Sequence, residues 1–341
     1  MSQKIPSKIA NSVAVLGAGS WGTALAILIA RNGYHVGLWG HDRNHMAQLA
    51  NRRENVKYLP GVRLPDSIEI VADLDPVLQD HDQILVVVPS HAFRSTVSEI
   101  GQARAEREKL IVAWGTKGLD PDHALLLSDV VSKLLGREVA QAVISGPSFA
   151  KEVANTLPTA LTVASNNVEI ADRVAAWLRN EYVRVYTNDD MAGVQLGGAI
   201  KNVMALAAGI SDGLGFGANA RAALITRGLA EMNRLGVALG GKPRTFMGLT
   251  GVGDLILTCT DDQSRNRRVG IGLGQGKSLK DVLARINQAA EGVHTVRELY
   301  GLAKKLNVEM PITEQVYGVI YQGLSPQKAV EELFKRDPKP E

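Results

Sequence analysis

The sequence predicts an α/β protein in which an N-terminal doubly wound parallel sheet is followed by an all-helical domain. Two observations lead to this prediction. Apolar runs alternate with helix-length segments through the first half of the chain, and only helical periodicity follows. The length of 341 residues is enough for two domains at roughly 150 residues each. We place the boundary so that the predicted domains are residues 1–192 and 193–341.

Seven short runs rich in valine and isoleucine form the predicted sheet. They are apolar throughout rather than alternating, as expected of strands buried on both faces. The chain between most of them is long enough for a crossover helix, which indicates parallel pairing rather than hairpins. The predicted strands are residues 12–17, 35–40, 83–90, 110–116, 140–146, 159–165 and 183–186.

Helix signals alone follow the last of these runs. Ser278 and Asp281 have the spacing of a capping box, and Ser325 before Pro326 predicts an N-cap with proline in the first turn. Between these two signals, apolar residues recur with the period of an amphipathic helix. They are Val296, Leu299, Ala303 and Leu306.

The composition is that of an ordinary globular protein, with 45% hydrophobic and 21% charged residues. The formal net charge is only +3, and the one dense basic cluster, at residues 265–268, is too short to follow a polynucleotide. We therefore expect no nucleic-acid partner and favour an anionic metabolite. One cysteine and seven histidines show no zinc-binding spacing, so we expect no metal.

The sequence also predicts a cytoplasmic protein. Its single cysteine, Cys259, cannot form an internal disulfide, which fits a reducing compartment. The polar N-terminus lacks the apolar segment of an export signal. The longest nearly uncharged stretch, which begins at Met191, is glycine-rich and interrupted by Lys201, so we expect no membrane-spanning helix.

A glycine-rich turn directly after the first predicted strand indicates a dinucleotide site and makes the predicted sheet Rossmann-like. Gly17 permits the tight turn, Gly19 lets the backbone approach a pyrophosphate, and Gly22 allows the next helix to pack on the sheet. The N-terminus of that helix would offer peptide N–H groups to the phosphates. An ordinary glycine-rich connector is the less favoured interpretation, because the turn joins a strand to a helix.

The end of the second predicted strand bears on the choice of nicotinamide cofactor. A carboxylate there would hold the ribose of NAD, and a basic residue would accept the 2′-phosphate of NADP. The sequence has both, in Asp42 and in its neighbours His41 and Arg43. Because Asp42 lies past the strand end, we favour NADPH, with NAD also accepted. The alternative is that all three are solvated turn residues.

Lys201 lies on a predicted helix of small residues, within a region (193–253) that holds 14 of the 34 glycines. Its neighbours three, four and seven positions away on the helix are glycine, alanine and methionine. Burial among them would lower the pKa of the lysine and suit it to proton transfer near neutrality. An equally favoured alternative is a lysine near a helix start that extends to water.

Two further polar segments of the second domain are candidates for the same site. Asp254 follows two glycines and could pair with Lys201, although the sequence alone favours a helix N-cap. Ser264, Arg265 and Asn266 offer hydroxyl, guanidinium and amide groups that can surround a phosphate. A solvated loop is the ordinary alternative for this second segment.

Two strand ends in the first domain complete the candidates. Lys117 follows one predicted strand, and residues 145–150 follow the next. Ligands of open α/β sheets bind at the carboxyl ends of strands, so Lys117 is a candidate contact to substrate or cofactor. A solvated lysine in a turn is the commoner alternative.

With these motifs, the chain resembles the bacterial NAD(P)-dependent glycerol-3-phosphate dehydrogenases. The resemblance implies reversible hydride exchange between NAD(P) and the pair dihydroxyacetone phosphate and sn-glycerol 3-phosphate, which feeds glycerophospholipid synthesis. It also implies a homodimer. The segments that carry it, in order over nearly the whole chain, are GAGSWGTALA (17–26), VVVPSH (86–91), WGTKGL (114–119), ISGPSFAKE (144–152), GVQLGGAIKNVMALAAG (193–209), GFGANARAALITRGLAEM (215–232), GLTGVGDLILTCT (248–260) and SRNRR (264–268).

The resemblance also implies roles for individual residues. The proton donor and acceptor falls on Lys201. Substrate contacts fall on Lys117, Gly146, Ser148, Lys201, Asp254, Ser264, Arg265 and Asn266. Cofactor contacts beside the turn glycines fall on Ser20, Trp21, His41, Lys117, Ala150, Arg265, Ala289 and Glu291. Ala289 stands where a larger aliphatic residue is expected, so that contact departs from the pattern.

Two other functions remain open at this point. A related two-domain hydroxy-acid dehydrogenase would share the fold and the lysine, but it would not need the basic cluster at 264–268. A non-catalytic dinucleotide sensor would leave Lys201 idle and would turn over no ketose phosphate.

Overall fold

The computed structural model describes residues 11–104, 108–286 and 290–337, which fall into two compact units. Unit 1 contains residues up to 116 together with 128–144 and 148–189. Unit 2 contains 117–127, 145–147 and the residues from 190 onward. Two short segments that follow strand ends therefore cluster with the C-terminal helices, and they carry Lys117 and Gly146.

Unit 1 is built on an eight-stranded sheet, and the six strand pairs whose register is defined in it are parallel. All seven predicted strands belong to this sheet, so the predicted fold class is confirmed. Their continuous apolar runs are buried because helices flank a doubly wound sheet on both faces. The strands are β1 (Ser12–Leu16), β2 (His35–Trp39), β3 (Glu54–Asn55), β4 (Leu59–Arg63), β5 (Ile68–Val71), β6 (Gln83–Val86), β7 (Ile111–Trp114), β8 (Ala140–Ser145), β9 (Thr159–Ala164) and β10 (Val183–Asn188).

The strand order is β10-β9-β8-β7-β6-β1-β2-β5. The chain therefore builds outward from β1 to β2 and β5 on one side, and from β6 to β10 on the other. The glycine-rich turn follows β1, where this direction reverses. A reversal of this kind separates the loops at the carboxyl ends of the strands and leaves a crevice for ligands.

Three strands of unit 1 were not predicted. The edge strand β5 has only four residues and includes Glu69, so it lacks the continuous apolar run of a strand buried on both faces. The other two, β3 and β4, form a separate antiparallel pair between the second helix and β5. A two-residue strand such as β3 has no periodicity to detect.

The helices α1 to α7 accompany the sheet. The first, α1, is apolar along most of its length, and its residues from Gly22 to Ala30 are buried. The helices are α1 (Ser20–Arg31), α2 (Arg43–Arg52), α3 (Leu74–Asp80), α4 (Ser90–Ala103), α5 (Leu127–Leu135), α6 (Ala150–Ala154) and α7 (Val168–Leu178).

Unit 2 is helical, as predicted: the described residues from 190 to 337, without the gap at 287–289, contain no strand. Its helices surround α8, in which nearly every residue is buried. The helices are α8 (Met191–Gly213), α9 (Ala218–Ala238), α10 (Pro243–Phe246), α11 (Asp254–Thr260), α12 (Arg265–Gly274), α13 (Leu279–Ile286), α14 (Glu291–Leu306), α15 (Pro311–Tyr321) and α16 (Pro326–Phe334), with a π-helical turn at Leu249–Gly253.

The helix α8 begins at Met191 and continues past Lys201 to Gly213. Its 23 residues are long and apolar enough to cross a membrane by length and composition alone, and in the described residues no other helix meets that test. Lys201 therefore does not interrupt the apolar stretch, contrary to expectation. The whole apolar window is buried inside unit 2, as in the core helix of a globular fold.

The predicted helix signals are confirmed where the structure describes them. Ser278 accepts a bond from the N–H of Asp281 at 3.2 Å, and Ser325 caps α16 through the N–H of Lys328 at 3.3 Å. In a full capping box the carboxylate would accept the backbone N–H of the cap residue. Here the Asp281 carboxylate accepts from the Ser278 hydroxyl instead. In α14 the predicted apolar face is buried as far as Ala303, and Leu306 is exposed at the last turn.

Two helices of unit 2 cross at a distance that only glycine permits. A Cβ atom added at Gly270 of α12 would overlap the carbonyl oxygen of Leu206, and one at Gly209 of α8 would overlap that of Arg267. Gly213 and Gly274 repeat this pattern one turn further along the same helices. The close crossing ties the helix that carries Lys201 to the helix that begins at Arg265.

Candidate active site

The glycine-rich turn of unit 1 has the geometry expected of a dinucleotide turn. Gly17 has φ +126°, a conformation that side chains rarely tolerate, and its N–H donates to the carbonyl of Trp39 at 2.8 Å. A Cβ at Gly22 would overlap the carbonyl oxygen of Gly17, so the helix could not pack so closely with any other residue. Gly19 is the N-cap of α1, with Ser20 beginning the helix.

Two observations on this turn fit a bound dinucleotide. The protein itself leaves open space where a Cβ of Gly19 would lie, so packing within the chain does not account for a glycine there. The indole N–H of Trp21 is buried without a hydrogen-bond partner. Buried donors normally have partners, so an unpaired one beside an anion-binding turn points to an acceptor on a ligand.

The end of β2 is arranged differently from the simplest NAD site. The Asp42 carboxylate caps α2 and accepts the N–H of His45 at 3.1 Å, and this bond lowers the pKa of Asp42. Arg43 forms an exposed ion pair with Asp73, and His41 is exposed. Asp42 therefore has a structural role as the N-cap of α2, and the part that these three residues take in cofactor binding stays a prediction.

In unit 2, one buried carboxylate joins two lysines. The Nζ atom of Lys201 lies 2.8 Å from Oδ1 of Asp254, and the Nζ atom of Lys117 lies 2.7 Å from Oδ2. Lys201 and Asp254 are 7% and 1% exposed. The pair hypothesised from the sequence is present, and Lys201 does not extend to water.

The charges in this cluster shift one another. Burial lowers the pKa of Lys201 to about 8, although the negative charge of Asp254 opposes the shift. For Asp254, burial acts to raise the pKa, but Lys117 and Lys201 together overcome it and the pKa lies below its ordinary value. The site therefore holds a fixed carboxylate and an ammonium poised to exchange a proton near neutral pH.

The local backbone explains how Asp254 reaches the lysines. It is the first residue of α11, directly after the π-helical turn, and the N-cap of that helix is Gly253. Within the turn, Gly251 lies against the backbone of Phe246, where a Cβ would not fit. Irregular helical turns of this kind often occur at functional sites because they redirect a side chain. The N-cap alternative for Asp254 was therefore wrong.

Sequence reasoning missed one member of the cluster. Thr258 accepts a bond from Nζ of Lys201 at 2.9 Å, and its own hydroxyl donates to the backbone carbonyl of Asp254 at 2.6 Å. The sequence spacing could have indicated Thr258, because it lies four residues after Asp254 and positions four apart on a helix share a face.

The residues at 264–268 have two kinds of surroundings: some side chains are partly exposed, and others are buried in contacts with helices. Arg265 begins α12 and is partly exposed, whereas Arg267 is buried and pairs with Asp212 of α8 at 2.6 Å. Ser264 caps α12 by accepting the N–H of Arg267 at 3.2 Å, and Asn266 accepts the N–H of Gly292 at 3.1 Å. The solvated-loop alternative was wrong, because Ser264 caps α12 while Asn266 and Arg267 join α12 to α14 and α8.

The start of α14 lies in the field of the same cations. Burial raises the pKa of Glu291, and Arg265, Lys117 and Lys201 oppose that shift. Glu291 is thus near both the lysine cluster and the predicted phosphate anchor. Ala289, the neighbouring predicted contact, lies outside the described residues.

The remaining predicted contacts lie after β8. Gly146 has φ +125° and belongs to unit 2, whereas Ser148 and Ala150, the first residue of α6, belong to unit 1. In unit 2, a Cβ at Gly198 of α8 would lie 3.1 Å from the Ser145 hydroxyl and 3.6 Å from Cγ of Lys117. The glycines of α8 thus let these strand-end residues approach the helix.

One group of possible metal ligands occurs in the described part of the chain. Donor atoms of Asp120, Asp122 and His123 lie within 4.8 Å of one another, and His123 contacts Asp120 at 3.0 Å. Only Asp120 is buried, and exposed acidic groups commonly occur without an ion. This group carries no metal assignment.

Together these features define a class of protein. A parallel sheet with a glycine-rich dinucleotide turn, followed by a helical unit with a buried lysine and carboxylate, is typical of two-domain nicotinamide-dependent dehydrogenases.

Comparison with known proteins places the chain within that class. Residues 12–171 match the pattern of the NAD-dependent glycerol-3-phosphate dehydrogenase N-terminus, and residues 190–331 match that of the C-terminus of the same family. The chain belongs to the NAD-dependent glycerol-3-phosphate dehydrogenase family.

Individual relatives agree with this assignment. A glycerol-3-phosphate dehydrogenase [NAD(P)+] of Thioalkalivibrio sulfidiphilus is 56% identical, over 96% of this chain and 98% of the relative. Another of Colwellia psychrerythraea is 53% identical, over 97% and 99%. The crystal structure of glycerol-3-phosphate dehydrogenase from Coxiella burnetii superposes with a TM-score of 0.93 at 48% identity, covering 96% of this chain and 99% of that one.

Proposed function

We propose that this protein catalyses the reversible NAD(P)H-dependent reduction of dihydroxyacetone phosphate to sn-glycerol 3-phosphate and supplies glycerophospholipid synthesis. The family assignment supports the substrate pair. The observation that carries the proposal is the buried Lys201–Asp254 pair, with Lys117 on the second carboxylate oxygen and Arg265 nearby. That arrangement provides a proton donor and cations for a phosphorylated substrate in one unit.

In the proposed reaction, a ketone gains a hydride at carbon and a proton at oxygen. Bound NADPH or NADH would supply the hydride. Lys201 donates its proton to the developing alkoxide and takes it back in the oxidative direction. Asp254 holds the ammonium in place, and Thr258 fixes its direction from the other side. A donor of pKa about 8 is mostly protonated at neutral pH yet gives up its proton readily.

The substrate phosphate would be held by Arg265 with the remaining donors of Ser264 and Asn266. Both neutral side chains use their oxygen atoms to accept bonds from the backbone, so their hydroxyl and amide hydrogens can still point to a phosphate. Lys117 would contact substrate and cofactor. Binding the phosphate, remote from the reacting carbon, supplies energy that positions the carbonyl.

We favour NADPH over NADH, with both accepted. The support is at the end of β2, where the Asp42 carboxylate is engaged in capping α2 instead of being directed to a ribose. His41 is exposed beside it, and the positive charge of Lys57 is close enough to lower the pKa of Asp42. A basic surrounding of this kind suits a 2′-phosphate better than a 2′-hydroxyl.

Each predicted domain has its own proposed role. Residues 1–192 would bind the dinucleotide through the turn glycines, Ser20, Trp21, His41 and Ala150. Residues 193–341 would bind the substrate, with Arg265, Ala289 and Glu291 also touching the cofactor. We further propose a cytoplasmic homodimer. The buried free thiol of Cys259 fits a reducing compartment, and sedimentation equilibrium measures the oligomeric state.

A spectrophotometric assay tests the function. Purified protein, NADPH and dihydroxyacetone phosphate should consume reduced nicotinamide, and in reverse sn-glycerol 3-phosphate should be oxidised while its enantiomer is not. Turnover of 2-oxo acids in place of the ketose phosphate would indicate a hydroxy-acid dehydrogenase instead. Binding of NADPH without turnover of either class would indicate a dinucleotide sensor. Parallel assays with NADH measure the cofactor preference, and a strong preference for NADH would contradict the NADPH proposal.

A further inference from the structure

A residue of the β3–β4 pair forms hydrogen bonds to the glycine-rich dinucleotide turn. Asn55 is the second residue of β3 and is 1% exposed. It follows Arg53, the C-cap of α2, which turns the chain in the left-handed conformation with φ +52°. The Arg53 guanidinium donates to the carbonyl of Ile68 at 2.8 Å, so the insertion is anchored to the main sheet.

The Asn55 side chain makes three hydrogen bonds. Its Nδ2 atom donates to the carbonyl oxygen of Ala18 at 2.9 Å and to Oγ1 of Thr23 at 2.7 Å. Its Oδ1 atom accepts the N–H of Tyr58 at 3.2 Å. Both amide hydrogens are thus directed to the glycine-rich turn, one before and one after the N-terminus of α1.

The bond to Ala18 controls the direction of a neighbouring donor. In a trans peptide the carbonyl and the following N–H point in opposite directions. The carbonyl of Ala18 shares its peptide plane with the N–H of Gly19, so Asn55 turns that N–H away from itself. No protein atom lies within 4 Å of a Cβ added at Gly19, so the protein leaves room for a ligand at this residue. Peptide N–H groups at a helix N-terminus can bind a phosphate.

The bond to Thr23 fixes the helix that follows. The N–H of Thr23 donates to the carbonyl of Gly19 at 3.0 Å, which closes the first turn of α1. Asn55 therefore joins both sides of this turn through a single amide. The peptide N–H groups at the start of α1 are held in one orientation before any ligand binds, which lowers the entropy lost on binding.

We infer that Asn55 is a positioning residue for the dinucleotide, which preorganises the N–H groups of the glycine-rich turn for the cofactor pyrophosphate. The inference rests on the proposed function only in naming NAD(P)H as the ligand. Nothing in the residue's sequence context indicates this role, because it lies 37 residues from Ala18.

Asn55→Ala tests the inference, and Asn32→Ala is a matched control. Asn32 lies at the other end of α1, where its amide donates to the carbonyl of Trp177 at 2.8 Å and accepts from Asn180 at 2.9 Å. Both variants remove a bridging amide of unit 1. We expect Asn55→Ala to raise the Kd and KM for NADPH by tenfold or more while kcat at saturating NADPH and the KM for dihydroxyacetone phosphate change by less than threefold. Asn32→Ala should leave the NADPH Kd within twofold of the wild-type value.

A second pair keeps the test valid if Asn55→Ala fails to fold. Thr23→Ser retains the hydroxyl that accepts from Asn55, whereas Thr23→Val replaces it with a methyl group. We expect the serine variant to keep the wild-type NADPH affinity and the valine variant to weaken it by threefold or more. Unfolding in urea, measured for every variant, identifies losses of affinity that merely follow stability.

Two results would overturn the inference. One is an unchanged NADPH Kd in both Asn55→Ala and Thr23→Val. The other is an equal loss in Asn55→Ala and Asn32→Ala at equal stability. The Kd is measured by the fluorescence of NADPH without substrate, so absence of turnover by the wild-type protein would refute the proposed reaction and leave this test intact.

Discussion

The Nζ atom of Lys201 lies 2.8 Å from the Oδ1 atom of Asp254, and both side chains are buried. Burial alone would favour neutral forms of each. Lys117, on the second oxygen of the same carboxylate, keeps Asp254 ionised, and Asp254 in turn limits the fall in the pKa of Lys201 to about 8. The pH dependence of the reaction should therefore follow from the charges of these three residues.

The reductive reaction should lose activity as the pH rises through about 8. Reduction needs the protonated form of Lys201, so kcat/KM falls as this ammonium loses its proton, whereas oxidation needs the amine and rises over the same range. This fall in reductive kcat/KM near pH 8 is the alkaline limb of the pH profile. In Lys201→Arg the guanidinium stays protonated, so the alkaline limb should disappear, and kcat should fall by about 10²–10⁴-fold. Initial rates from pH 6 to 10 measure both. Lys280→Met, at an exposed lysine, should behave as wild type, and a retained limb in Lys201→Arg would contradict the assignment.

Asp254→Asn should move the same limb to lower pH. The negative charge of Asp254 raises the pKa of Lys201, so its removal lets burial and the positive charge of Lys117 act without opposition. A neighbouring opposite charge typically changes a pKa by roughly 1–3 units, and we expect a displacement of that order. The pH profile of reductive kcat/KM measures it. Asp281→Asn, at an exposed capping residue, is the control, and an undisplaced limb in Asp254→Asn would be the opposing result.

Arg265→Ala should weaken substrate binding before it affects the chemistry. A hydrogen bond to a charged group contributes about 1.5–3 kcal/mol, which corresponds to an increase of roughly 10- to 150-fold in the KM for dihydroxyacetone phosphate. At saturating NADPH, which removes any effect on cofactor binding, the variant and the wild type should have equal kcat/KM for dihydroxyacetone, which lacks the phosphate. Arg268→Ala alters an exposed neighbour and should change neither value. Equal effects of the two arginine variants would argue against a specific phosphate anchor.

Gly270→Ala should destabilise unit 2. The new methyl group would overlap the carbonyl oxygen of Leu206, so α8 and α12 must separate, at a cost of about 2 kcal/mol or more in the free energy of unfolding. Gly301→Ala on α14 is the control, because no atom lies near its added Cβ. That substitution should stabilise the protein by up to about 1 kcal/mol through helix propensity. Urea unfolding compares the two, and similar effects would refute a packing role for Gly270.

Glu298→Gln should stabilise the protein above neutral pH and have little effect at pH 5. Glu298 is 5% exposed, and burial raises its pKa to about 7. The unfolded chain releases this proton near pH 4.5, so wild-type stability falls as the pH rises from there to about 7. One pKa unit corresponds to about 1.4 kcal/mol, so the full difference is on the order of 3–4 kcal/mol. Unfolding free energies at pH 5 and pH 8 measure it. A constant difference between the proteins would show that the carboxyl group does not titrate in this way.

The strands and helices that the sequence predicted are those with long local patterns. Continuous apolar runs predicted seven strands, and cap residues predicted the starts of α13 and α16, because both signals act between residues close in the chain. The edge strand β5 and the β3–β4 pair were missed. They are short, and β5 includes an acidic residue.

By itself, the sequence determined the fold class and the dinucleotide turn, because both depend on patterns between residues close in the chain. It also marked Lys201 as a candidate, but whether the lysine is buried or extends to water was decided by the tertiary structure. The tertiary structure also decided which side chains form ion pairs with one another. Asp254 meets Lys201 over 53 residues and Lys117 over 137, and Arg267, predicted as part of a basic cluster, became a buried brace to Asp212. A hydrogen bond needs two atoms within about 3 Å, and local periodicity carries no information about atoms that distant parts of the chain bring together. The charges that set the pKa of Lys201 therefore depend on the fold, although the lysine itself could be found from the sequence.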